Sequence, residues 1–182
     1  MTTATTTKLA AGTWNIDASH STLGFSVRHL MVSKVRGRFT DFSGKLVINE
    51  DGTASAEAEI KVASVTTDNE QRDGHLRTAD FFHAEEFPTA TFKSTGFRVN
   101  GDDFVVDGDF TIHGVTKPVS LEVEFNGVNE GMGNGPVAGF EAKTTINRRD
   151  FGITIDMPLA NGGAVVGDKI NLVLEIEVAK EA

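Results

Sequence analysis

The sequence predicts an all-β protein, an antiparallel barrel of about eight strands with one short helix and an elongated internal cavity. Several short stretches alternate apolar and polar residues, which is the pattern of half-buried strands. The composition agrees, with 19 Gly and 13 Phe but only four Pro. The apolar sides also carry small residues, and an eight-stranded barrel is just wide enough to hold one slender ligand when its inward residues are small.

The clearest strand places mostly alanine on its apolar side. Ala54, Ala56, Ala58, Ile60 and Val62 lie on one face, and Ser, Glu and Lys occupy the other. Three later stretches alternate in the same way. Their inward residues are predicted to be Val119, Leu121, Val123 and Phe125; Phe140, Ala142, Thr144 and Ile146; and Ile170, Leu172, Leu174, Ile176 and Val178.

The other strands are predicted from shorter patterns and from turn signals. Phe39 and Phe42 are an odd number of positions apart, so they would face opposite sides of a regular strand. This switch in parity predicts a bulge or a sharp bend within one long strand. Pro118 is expected to open a strand, where proline is tolerated. The remaining predicted segments are a strand opening with Trp14 and Ile16, strands over 23–29, 90–99 and 104–112, and turns at 17–21, 50–52, 100–103 and 161–163.

One helix is predicted, within 67–78. Thr67-Asp68-Asn69-Glu70 fits a capping box at its start. Arg72 and His75 fall on neighbouring helical positions, which leaves two interpretations. Either the basic pair looks toward the barrel with Leu76 closing it, or the helix docks as a lid with Arg72 paired to a nearby acid.

Length and charge favour one domain that does not bind nucleic acid. Residues 1–11 are expected to form a disordered tail without the apolar segment of a secretion signal, and 12–182 a single domain. The net charge of −9 argues against a general nucleic-acid surface, because binding a phosphate backbone needs clustered Lys and Arg. No stretch approaches the length of an integral membrane segment, so a cytoplasmic location is expected. The absence of Cys excludes disulfides and thiolate metal sites.

The titratable residues form no motif with catalytic or metal-ligand spacing. His29 shares the face of Phe25 and Val27 and would lie at a barrel mouth, where it either binds a ligand head group or bonds to backbone. Arg148 lies in phase with the apolar residues of the strand before it, so its side chain is expected on the apolar face. There it needs a partner, because burying a lone charge is unfavourable. That partner is either an acid such as Asp150 or an anionic ligand.

Several blocks of the sequence, in order from Gly12 to about Val178, resemble the YceI-like, polyisoprenoid-binding family. The blocks that carry the resemblance are Trp14-Asn15-Ile16-Asp17, His20-Ser21, Phe25-Ser26-Val27-Arg28-His29, Gly37-Arg38-Phe39, Phe42-Ser43-Gly44, Asp73-Gly74-His75-Leu76, Asp80-Phe81-Phe82, Phe87-Pro88, Phe92-Lys93-Ser94, Thr111-Ile112-His113-Gly114-Val115-Thr116, Pro118-Val119, Asn147-Arg148-Arg149-Asp150-Phe151-Gly152 and Val166-Gly167-Asp168.

The resemblance implies a lipocalin-like barrel, often dimeric, that binds a polyisoprenoid or another long-chain amphiphile, with no catalytic activity assigned. No cofactor is expected, and no metal either, because none of the five His residues is paired at metal-ligand spacing. A carrier, storage or sequestration role follows. Within this interpretation, His29, Arg72, His75 and Arg148 are the candidates for the head group. The inward residues predicted to line the tunnel are Phe25, Val27, Phe39, Ala56, Ala58, Ile60, Phe92, Phe110, Ile112, Ala142 and Ile146.

Two other functions fit the same residues. An enzyme acting on a lipid or prenyl substrate would use His29 or His75 as general base and Arg148 to stabilise a developing anion. A protein-interaction module would use the aromatic loop at Phe81 and Phe82. Outward Val173 permits a small apolar contact between two copies of the chain.

Overall fold

The computed structural model describes residues 9–157 and 165–182. Within them the chain forms eleven strand segments and one α-helix, α1 (Glu70–Leu76), with three short 3₁₀ turns. The strands are β1 (Gly12–Ile16), β2 (Thr22–His29), β3 (Ser33–Phe39), β4 (Phe42–Ile48), β5 (Ala54–Lys61), β6 (Val65–Thr66), β7 (Thr89–Asn100), β8 (Asp103–Ile112), β9 (Val115–Asn129), β10 (Val137–Asn147) and β11 (Val166–Lys180).

The strands close into an antiparallel barrel, as the sequence predicts. The order is β1-β4-β5-β7-β8-β9-β10-β11, and β11 pairs back to β1 through Ile16 and Val178. β11 is long enough to pair with β1 at its end and with β2 earlier in its course. The β2–β3 hairpin therefore continues the wall that β1 and β4 begin, and β6 pairs with the end of β3.

The parity switch between Phe39 and Phe42 marks a real break. β3 ends at Phe39 and β4 begins at Phe42, so both aromatic side chains face inward on either side of a two-residue interruption. A 3₁₀ turn at Ala18–His20 interrupts the neighbouring wall between β1 and β2 in the same way. These paired interruptions bend two adjacent strands and help the sheet to close.

Two local predictions need correction. The N-cap of α1 is Asn69, whose side chain accepts a hydrogen bond of 2.9 Å from the backbone N–H of Arg72. Thr67 lies before the helix and donates to the buried carboxylate of Asp73 from both its N–H and its hydroxyl. Pro118 lies inside β9, at a point where β9 pairs with β8 but its ladder to β10 has ended, so no β10 hydrogen bond is lost.

Burial begins before Gly12, because Leu9 is buried in the main core cluster. Trp14, which is 1% exposed, lies in the same cluster and donates its indole N–H to Ala10. A second cluster centres on Val62 and Phe151. The predicted turn at 161–163 lies outside the described residues.

The outer wall carries an ion pair that ties three strands together. Arg98 of β7 donates two hydrogen bonds, of 2.7 and 2.9 Å, to Asp107 of β8, and the hydroxyl of Ser120 in β9 donates a third. The hydrogen bonds from Arg98 first, and then the one from Ser120, lower the pKa of Asp107 to about 2.

This carboxylate predicts a loss of stability in acid. A depressed native pKa means that the stabilisation is complete above the unfolded pKa, near 4, and disappears as the pH falls toward 2. We expect Asp107→Asn to lower the free energy of unfolding by about 1 kcal/mol at pH 7, after allowance for solvent screening, and by almost nothing at pH 2. Urea unfolding of both proteins across this range measures the difference. If the difference in free energy of unfolding between the two proteins stayed constant with pH, it would not come from the ionised carboxylate of Asp107.

Candidate functional site

The barrel encloses an apolar cavity of about 220 Å³. Its wall runs along β11 from Leu172 to Val178, which corresponds to about 20 Å of strand. Most lining side chains are aliphatic or aromatic. The charged residues in the wall, Lys45 and Glu57, form a cross-strand pair with Nζ and Oε1 3.4 Å apart, and both side chains are about half exposed.

Eight of the eleven predicted tunnel residues lie in this wall: Phe25, Phe39, Ala56, Ala58, Ile60, Phe92, Phe110 and Ala142. Val27, Ile112 and Ile146 do not line the described cavity. Ile112 and Ile146 pack instead in the cluster around Val62 and Phe151. Val27 lies further along β2, beyond Phe25 and toward the hairpin tip.

Two glycines create room along the cavity wall. Because they have no side chain, a phenylalanine ring can pack directly over the strand at each of them. A Cβ at Gly37 would overlap the ring of Phe25, its cross-strand neighbour, and a Cβ at Gly108 would overlap the ring of Phe92. The ring of Phe25 also packs 5.7 Å from that of Phe39. The rings occupy the space above the glycines, which leaves the centre of the barrel open.

Gly37→Ala is expected to reduce stability by about 1–3 kcal/mol, because the new methyl group forces the Phe25 ring away from the strand. Gly74→Ala is the control, since a Cβ there meets nothing within 4 Å. Urea unfolding of Gly37→Ala, Phe25→Ala and the double variant measures the coupling. If the two losses simply add, the ring and the glycine do not share this space.

Arg148 is a structural cation. Its side chain is 4% exposed and donates to the carbonyl oxygens of Gly167 at 3.0 Å and Ile153 at 2.8 Å, while Nη2 lies 3.2 Å from Asp168. Burial lowers the pKa of the Arg148 guanidinium. The partners left open by the sequence are therefore backbone carbonyls and Asp168, rather than Asp150.

The other head-group candidates lie outside the wall of the described cavity, and Arg72 and His75 share one element, α1. Arg72 is exposed and donates to the hydroxyl and carbonyl of Thr67, at 2.7 and 2.9 Å. His75 is also exposed, and its Nε2 lies 2.9 Å from Asp80. His29 ends β2 beside the hairpin turn.

The aromatic loop after α1 belongs to the interior. Phe81 is buried and makes a T-shaped contact with the imidazole of His75, with the ring centroids 5.0 Å apart. The ring of Phe82 packs 5.7 Å from Phe39, so the loop covers the wall of the cavity. The buried Phe81 leaves this loop poorly suited to the protein-docking role that the sequence allowed.

One cluster of carboxylate and imidazole groups is not anticipated by the sequence. Asp17, His20 and Glu177 bring potential metal-ligand atoms within 4.8 Å of one another. Nδ1 of His20 lies 2.8 Å from Asp17. The hydrogen bond from His20 is the main cause that lowers the pKa of Asp17 to about 2, and Asp17 in turn raises the pKa of His20. Because Glu177 is distant in sequence, no local spacing reveals the cluster.

Among residues 9–157 and 165–182, no helix has the length and apolar character needed to span a membrane.

Comparison with solved structures shows the same architecture elsewhere. The YCEI protein of Campylobacter jejuni is 31% identical, with a TM-score of 0.72 over 85% of this chain and 90% of that one. A polyisoprenoid binding domain from Saccharophagus degradans shares the fold at 18% identity, with a TM-score of 0.67 over 92% of this chain and 98% of that one.

Sequence comparison covers almost the whole described barrel. A UPF0312 protein of Staphylococcus aureus is 39% identical over 160 residues, which are 86% of this chain and 91% of that protein. The profile of the YceI-like domain matches residues 14–178, from the buried Trp14 to the end of the cavity wall at Val178. The chain therefore belongs to the YceI-like domain family.

Proposed function

We propose that the protein binds a polyisoprenoid or another long-chain amphiphile inside the barrel, as a carrier, storage or sequestration protein. The observation that carries this proposal is the long apolar cavity. Each buried methylene contributes about 0.8 kcal/mol, so a chain of several isoprene units binds well without specific polar contacts. The polyisoprenoid binding domain of Saccharophagus degradans has the same architecture, which supports the choice of ligand class.

The cavity wall favours recognition of the tail. Its ionic side chains, Lys45 and Glu57, are paired with each other and half exposed. A charged or hydroxylated head group is therefore most stable in water, outside the apolar lumen. Specificity would then depend on chain length and width more than on head-group chemistry.

The enzyme alternative has weaker support. A general base and an anion-stabilising cation must lie within hydrogen-bonding reach of the reacting atoms. Arg148 is already bonded to Gly167 and Ile153, and His75 is paired with Asp80 on the surface. Neither residue lines the apolar cavity.

The test begins with protein purified from its native host. Extraction with organic solvent and mass spectrometry should identify a prenyl compound or another long-chain lipid in a stoichiometric amount. The extracted and refolded protein is then titrated with octaprenol and, for comparison, with geraniol. Octaprenol is expected to bind more tightly than geraniol, because it buries more methylene groups. A protein that carries no amphiphile and takes up neither prenol would contradict the proposal.

A further inference from the structure

The tip of the β2–β3 hairpin exposes three consecutive apolar side chains. Leu30, Met31 and Val32 are 40%, 58% and 79% exposed. Leu30 and Met31 also adopt positive φ angles, of 53° and 65°. Asn and Gly are the usual residues for this conformation, and leucine and methionine adopt it only under strain. Exposure to water is unfavourable for these apolar side chains, and the positive φ angles are unfavourable for Leu30 and Met31. Neither factor explains why the tip is apolar.

The outer face of the same hairpin is basic. The register pairs Arg28 with Lys34, and it places Arg36 and Arg38 further along the same face of β3. Within the described residues, Asp68 lies 3.3 Å from Arg38, whereas Arg28, Lys34 and Arg36 form no salt bridge. The sequence from Ala18 to Thr40 contains no Asp or Glu, although the chain has 26 acidic residues.

The opposite side of the barrel has the opposite charge. In the strand order, β9 lies across from β3, and the exposed outward residues of β9 and β10 include Glu122, Glu124 and Glu141, with Lys143 3.8 Å from Glu122. A protein with a net charge of −9 therefore presents one basic face, next to an apolar tip. Near an anionic surface, this asymmetry orients the molecule with the β2–β3 hairpin first.

We propose that the β2–β3 hairpin docks the barrel on the surface of an anionic lipid bilayer. Leu30, Met31 and Val32 enter the boundary between head groups and acyl chains, and Arg28, Lys34 and Arg36 pair with lipid phosphates. Apolar side chains with a flanking cluster of cations are the features that bind proteins to such surfaces. This docking goes beyond the proposed lipid binding in the cavity and does not depend on it.

The hairpin also connects that surface to the cavity. Phe25 of β2 and Phe39 of β3 line the cavity wall, on the same two strands that end at the apolar tip. Docking through this hairpin would bring part of the cavity wall close to the membrane. The membrane is the physical source and destination of long-chain amphiphiles, which have little solubility in water.

The experiment is flotation of the full chain with vesicles. Wild-type protein should float with vesicles of equimolar phosphatidylcholine and phosphatidylglycerol, and poorly with phosphatidylcholine alone. The tip variant Leu30→Asn/Met31→Gly/Val32→Ser should bind about tenfold more weakly, and its Asn and Gly suit the positive φ angles. The charge variant Arg28→Gln/Lys34→Gln/Arg36→Gln should bind about 100-fold more weakly, because the loss of each cation weakens binding about fivefold.

Matched controls test whether location matters. Val99→Ser/Met132→Ser removes two exposed apolar residues elsewhere, and Lys93→Gln/Lys117→Gln/Lys143→Gln removes three exposed lysines from other strands. Both controls should retain binding within about threefold of wild type. Failure of the wild-type protein to float with anionic vesicles would overturn the proposal. Losses in the controls equal to those in the hairpin variants would also overturn it.

Discussion

Ala58→Phe is expected to weaken octaprenol binding by about 100-fold or more while the barrel stays folded. Ala58 lies in the cavity wall and pairs with Gly44 on one side and Phe92 on the other. A benzyl group there enters the lumen and excludes part of the chain. Exclusion of one isoprene unit of about five carbons removes roughly 4 kcal/mol of apolar burial, of which relaxation of the wall recovers some. Titration with octaprenol measures the change.

The control for this variant is Ala63→Phe, which places the same side chain at an exposed position just after β5. Octaprenol affinity should remain at the wild-type value. Circular dichroism and urea unfolding establish that both variants fold. Wild-type affinity in a folded Ala58→Phe protein would show that the chain does not occupy this part of the cavity.

Arg148→Leu is expected to lower the free energy of unfolding by about 3–5 kcal/mol, which is the range for breaking a buried charged network. The carbonyl oxygens of Gly167 and Ile153 would lose their donor, and leucine offers no hydrogen bond in return. Urea unfolding measures the loss. Arg148→Lys, which keeps the charge but reaches fewer acceptors, should be intermediate in stability.

Arg149 provides the comparison for Arg148. It also contacts Asp168, at 2.9 Å, but its side chain is 36% exposed. We expect Arg149→Leu to reduce stability far less than Arg148→Leu does, as for an exposed ion pair. If Arg148→Leu were as stable as wild type and lost octaprenol binding, Arg148 would be a head-group residue after all.

Alternation with a period of two predicted which side of each strand faces the interior, because a one-residue shift would exchange the two faces. It did not predict depth along the barrel axis. Ile112 and Ile146 have the inward parity of cavity residues, but they lie where the cluster around Val62 fills the barrel. Parity is a local property, whereas depth depends on the register of neighbouring strands.

A second change in the alternation of inward residues, in β7, was present in the sequence, but the prediction did not use it. Phe92 and Phe97 both face inward because β7 is irregular between Ser94 and Gly96. The odd spacing is the same signal that predicted the break between Phe39 and Phe42.

The contacts of the polar residues were harder to predict. Arg148 finds an acceptor 19 residues away, at Gly167, and Asp73 of α1 accepts from Thr67 before the helix begins. Sequence spacing gives no direct access to such pairs, because side-chain geometry and competing acceptors decide them.

The free edge of β3 has a consequence for the rate at which cargo is exchanged. Among the described residues, β3 pairs along its length with β2, but on its other side only Arg38 and Phe39 meet β6. Opening at this edge breaks few interstrand hydrogen bonds, whereas separation of any longer-paired strands breaks many. We therefore expect release of a bound chain to occur beside β3, with a half-life set by this local opening and not by unfolding of the barrel.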